Sequence, residues 1–138
     1  MKAKRTVVFI TAMLLLLSAI ASTTFADVSQ GVYNGYNYTA RGDRSGSTSS
    51  CSLQYGTTAS LKVKAQCKIN YKLNSSDSKY QTRIAGYSVS KNNTTYVSAA
   101  QSAQQLLQNV GINAEIAYYV DCEYWYYIGG ALVDNIAV

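Results

Sequence analysis

Ala59-Ser60-Leu61-Lys62-Val63-Lys64-Ala65-Gln66-Cys67-Lys68-Ile69-Asn70-Tyr71-Lys72-Leu73 is the stretch that decides the fold. Every odd position is apolar or aromatic, and every even position is polar or charged. Successive side chains of a strand point to opposite faces, so the run reads as one long strand with a dry side and a wet side. A helix would scatter the same residues around its circumference. Such a strand belongs to an antiparallel sheet with one face on a core and one in water.

Upstream, residues 32–41 read as a first strand with Tyr36, Tyr38 and Ala40 on one side. Residues 42–50 form a polar loop rich in turn formers, and 51–55 a short second strand. Gly56-Thr57-Thr58 reads as a turn into the long strand. Downstream, 74–78 is a loop, 79–90 another strand, and 91–94 a turn. Gly86 marks a bulge or a close backbone approach. The period then changes. Tyr96, Ala99, Ala100, Ala103, Leu106, Leu107 and Val110 recur at spacings of three and four, which predicts a helix over about 97–109. Thr94, Thr95 or Ser98 would cap it and Gly111 would end it. Its polar side carries no charge, so it depends on packing across the sheet. Residues 115–128 return to strand, Gly129-Gly130 turns, and 131–138 is a last strand. The expected fold is mostly β: an antiparallel sheet or β-sandwich of about five to six strands with one amphipathic helix packed on it.

The N-terminus reads as a secretory leader. Lys2, Lys4 and Arg5 precede the apolar run 7–17, and small residues follow. Cleavage after Ala21 or Ala26 fits, with Ala26 favoured because polar Asp27 comes next. The run is too short to span a membrane. Residues 27–138 then form a single small secreted domain, extracellular or at the cell surface, with no transmembrane segment. The full chain has 12 Lys and Arg against 7 Asp and Glu. The leader takes three of the bases, so the formal charge of +5 overstates the mature balance. The remaining bases lie between Arg41 and Lys91, and four acids (Glu115, Asp121, Glu123, Asp134) follow them. That suggests a basic front and an acidic back, suited to an anionic polymer or to self-association.

Cys51, Cys67 and Cys122 are each in phase with apolar neighbours, and a secreted chain can oxidise two of the three. Cys51–Cys67 is the preferred bridge because the pair is closest in sequence; a tight turn at 56–58 would put them four residues out of register. Cys67–Cys122 is the main rival, and a third alternative is no bridge, with all three packed as small hydrophobes. The chain has no His, which removes the usual partner of a Cys nucleophile and the usual companion of Cys at zinc. No metal, cofactor or catalytic residue is assigned.

Two surfaces are candidates for binding. Tyr119, Asp121, Glu123, Trp125 and Tyr127 alternate on one face of strand 115–128. Aromatic rings beside carboxylates can stack on sugars and accept hydroxyl hydrogen bonds. Lys62, Lys64, Lys68 and Lys72 line the wet face of the long strand and can hold polyanions. Asp121 and Glu123, about 7 Å apart along a strand, also admit a small glycan hydrolase. Arg41-Gly42-Asp43 spells an integrin-binding tripeptide, a weak signal on its own. In general composition the chain resembles small secreted bacterial β proteins, a class that includes bacteriocin-like toxins, and this implies a secreted effector as an alternative. The leading expectation is a secreted non-enzymatic binding protein for cell-wall glycan or an anionic envelope polymer. No nucleic acid partner is expected for a secreted chain.

Overall fold

A computed structural model describes residues 24–138. The expected leader lies outside the described residues except for its last three positions. The elements are β1 (Phe25–Tyr33), β2 (Tyr36–Arg44), β3 (Thr48–Lys72), β4 (Gln81–Ser102), α1 (Ala103–Asn109), β5 (Ile116–Ile128) and β6 (Ala131–Ala137). All strand pairs are antiparallel. Among the described residues no helix is long and apolar enough to cross a membrane.

The scaffold is one long ribbon. β3 and β4 pair from Thr48↔Ser102 to Tyr71↔Gln81, with register shifts between Gln54 and Leu61. On its other edge, β3 pairs with β2 through its first half, up to Tyr55, and with β5 from Leu61 onward. β1 extends the first wing and β6 the second. The two wings face each other, and the assembly is a nearly closed, barrel-like sandwich.

The two turns expected at 56–58 and 91–94 are therefore bends within β3 and β4. Both were misread because Gly, Thr and Asn mark bulges as well as turns. The connection within 32–41 was missed in the opposite way. Asn34 and Gly35, with φ of 47° and 81°, close a two-residue hairpin between Tyr33 and Tyr36. Asn-Gly is the dipeptide that a type I′ hairpin favours.

The helix is shorter than its pattern. Residues 97–102 remain in β4, with Val97 fully buried opposite Leu53. The same residues also alternate, and β3 supplies backbone partners that an isolated helical turn lacks. α1 begins where that pairing ends. Ser102 Oγ caps it, accepting from the Gln105 N–H at 3.1 Å. Leu106 and Leu107 are buried against β4 and β5, each contributing about 1.5–3 kcal/mol.

The alternation in β3 holds. Leu61, Val63, Ala65, Cys67, Ile69 and Tyr71 are buried, while Lys62, Lys64 and Lys68 are exposed. Tyrosines tie the wings together through hydroxyls that donate to backbone carbonyls across the core. Tyr124 reaches Asp43 O at 2.8 Å, Tyr126 reaches Arg41 O, and Tyr38 reaches Val133 O at 3.0 Å. Gly42 explains the fit, because a Cβ there would lie 2.4 Å from the Tyr124 ring. The Arg41-Gly42-Asp43 tripeptide thus sits inside β2 with its glycine buried, serving packing. Among the described residues every buried side-chain N or O atom has a hydrogen-bond partner.

The disulfide joins Cys67 to Cys122 and corrects the preference for Cys51–Cys67. Cys51 and Cys67 lie on one continuous strand, with no turn to bring them opposite each other. Cys67 and Cys122 are register partners on β3 and β5, 4.1 Å apart at Cα. Cys122 exchanges both backbone hydrogen bonds with Val138 on its other side. It therefore meets Cys67 as a non-hydrogen-bonded pair, in which antiparallel strands approach most closely. Cys51 is a buried free thiol whose pKa burial pushes up to about 12, so it is held protonated and unreactive.

Candidate functional site

Register brings the two expected surfaces together. Lys62 pairs with Tyr127, Lys64 with Trp125, Gln66 with Glu123 and Lys68 with Asp121. All eight project from the outer face of the β4–β3–β5–β6 wing, with both expected groups of residues interleaved in two adjacent rows. Part of the basic front (Lys62, Lys64, Lys68) and part of the acidic back (Asp121, Glu123) thus share one surface, since residues 50 or more apart in the chain are cross-strand neighbours.

Two contacts define its chemistry. The Lys62 ammonium lies 5.4 Å from the Tyr127 ring centroid, and the Lys64 ammonium 5.4 Å from that of Trp125. At exposed sites such contacts are worth about 0.5–1 kcal/mol, weak enough for a ligand to displace. Trp125 and Tyr127 are half-buried, while Asp121 and Glu123 are exposed. α1 packs on the core through Ala103, Leu106 and Leu107, so it does not serve as a lid over this aromatic row.

Shallow depressions flank the two lysines. One, of about 330 Å³, is lined by Lys64, Gln66, Ile84, Gly86 and Ser88 among others. Gly86 keeps its floor low: a Cβ there would lie 2.5 Å from Ala65 O, so the strands approach too closely for any side chain. The other, of about 320 Å³, includes Ser60, Lys62, Ser90, Asn92 and Tyr127. Hydroxyl and amide groups beside an ammonium and a ring are the partners that sugars use.

Tyr119 does not belong to this face. β5 carries an extra residue, Val120, between Tyr119↔Ile69 and Asp121↔Lys68. The bulge reverses the phase of everything before it. Tyr119 is buried and donates its hydroxyl hydrogen bond to Gln101 O at 2.9 Å. Tyr118 takes its place outside, accepting from Asn70 Nδ2 at 3.1 Å and meeting the Tyr80 ring edge-on at 5.2 Å. Lys72, half-buried, holds its ammonium 4.6 Å from the Tyr80 ring centroid. The face therefore gains Tyr118, Tyr80, Ile84 and Gly86, none of which sequence reasoning had placed there. Residues 116–120 are apolar or aromatic throughout, so alternation carried no phase there. Ile84 was not linked to the lysines, because pairing across strands is not written in either strand alone.

Neither a scan of the chain against protein-family models nor a search of curated proteins found a match.

Proposed function

We propose that this chain is a secreted, non-enzymatic binding protein that recognises cell-envelope glycan or polyanion through the outer face of β3 and β5. The observation that carries the reading is the pair of lysine ammonium groups over Tyr127 and Trp125. A pyranose ring can displace either lysine and stack on the ring face so uncovered, and the freed ammonium can then pair with an acid group on the same ligand. Secretion is supported by the leader-like N-terminus and by a disulfide, which persists in oxidising compartments. Asp121 and Glu123 serve here as acceptors for sugar hydroxyls. Glycoside hydrolysis needs two carboxylates flanking a bond held in a cleft, whereas both of these stand on an open strand face.

The test is a pull-down of purified protein on insoluble cell-wall material, with Trp125→Ala as the comparison. Wild type is expected in the pellet and the variant in the supernatant, both remaining folded at the assay temperature by circular dichroism. Equal pelleting of both, or of neither, contradicts the assignment of this face.

A further inference from the structure

We propose that the ligand, on the binding reading just given, is an acidic oligosaccharide seated at the Lys62–Lys64 end of the face, and that Glu123 and Asp121 set where it stops. The face is divided along its length. Its Lys62–Lys64 half contains two of the three ammonium–ring pairs described on the face and both depressions that flank these lysines, the third pair, Lys72 with Tyr80, lying at the far end beyond Asp121. Each depression shares one of the two lysines, and neither is lined by a carboxylate. Lys64 thus has a ring on its β5 side and, on its β4 side, a hollow that offers the Gln66 amide and the Ser88 hydroxyl. Two residues along β3 separate the lysine positions by about 7 Å, so acid groups on neighbouring sugars can each meet one.

Beyond Trp125 the character changes. Glu123 stands opposite Gln66, with no cation as its register partner on β3, and Asp121 stands opposite Lys68. Both carboxylates are exposed on the same face. An anionic chain continuing past Trp125 would meet the Glu123 charge first and then a lysine already faced by an acid. A neutral glycan would meet no such boundary. The charge pattern therefore selects acidic sugars and limits how many of them are held.

The experiment titrates the protein calorimetrically with two ladders of increasing length, oligogalacturonates and neutral chito-oligosaccharides. The acidic ladder is expected to bind about tenfold tighter at low salt, two exposed ion pairs being worth up to ~5-fold each. High salt should erase that preference. Lys62→Gln with Lys64→Gln should abolish it, while Trp125→Ala weakens both ladders. Wild-type affinity should stop rising at short acidic oligomers, and Asp121→Asn with Glu123→Gln should let it continue to rise. Equal affinity for both ladders, still lost in Trp125→Ala, overturns this inference and leaves the binding face standing. Binding of neither ladder overturns both. An acidic preference that survives the lysine double variant overturns the assignment of its seat.

Discussion

At the scale of single residues, Tyr124 links most of the structure. It is fully buried, lies against Gly42, shares a 2.7 Å hydrogen bond with the hydroxyl of buried Ser49, and donates to Asp43 O. Tyr124→Phe leaves the Asp43 carbonyl without that donor and removes one of the hydroxyl partners of Ser49. The expected loss is about 1–3 kcal/mol, read as a lower urea midpoint with an unchanged slope. Gly42→Ala drives a methyl into the same ring and should destabilise by about 1–3 kcal/mol on the overpacking scale. A Gly42→Ala midpoint within error of wild type contradicts the packing described. These roles were only half legible in the sequence. Alternation correctly gave Lys62, Lys64 and Lys68 as outward and Tyr124 as inward. It failed at Tyr119, where five consecutive apolar or aromatic residues hide a one-residue bulge. Nothing local marks Val120 as the extra residue, because what sets the shift is the fit of β5 against β3.

At the scale of elements, β3 is the organiser and the Cys67–Cys122 bridge is its staple to β5. The bridge closes a separation of 55 residues, which the chain-entropy view of disulfides values at about 4 kcal/mol. Replacing both cysteines by Ala should lower stability by about 2–4 kcal/mol, whereas Cys51→Ala removes only a small buried side chain and should cost less. Comparing urea midpoints of the two variants with and without reductant checks the pairing; a larger loss from Cys51→Ala contradicts it. The long strand, the last hairpin at Gly129-Gly130 and the helical core of Leu106 and Leu107 were readable from period and turn chemistry. The β4–α1 boundary was not. Residues 97–102 satisfy both periods, and their state is decided by β3, which needs partners for Thr48–Gln54.

At the scale of the molecule, two wings close around a tyrosine-rich core, and that core makes stability depend on pH. Burial pushes the Tyr124 hydroxyl up from 10.0 to about 12, and pushes Tyr126, Tyr87 and Tyr119 upward as well. Burial likewise raises the Cys51 thiol from 9.0 to about 12. Above these ordinary values the unfolded chain has lost protons that the folded chain still holds. The unfolded state then binds fewer protons, so stability falls as pH rises. It should be flat up to about pH 9 and drop steeply between about pH 10 and 12, as these groups ionise on unfolding. Urea midpoints at pH 7, 9 and 11 measure this, and an undiminished midpoint at pH 11 contradicts a core sealed by neutral tyrosines.

The most direct test of the outer face uses a reporter already within it. Trp125 is the only tryptophan in the chain, so tryptophan emission reads this site alone. Titration of the protein with acidic cell-wall fragments should shift that emission saturably, and changing Lys62 and Lys64 both to Gln should weaken the affinity read from it to that for neutral fragments. Fragments that bind tightly by calorimetry while leaving Trp125 emission unmoved would place the ligand elsewhere and contradict the account.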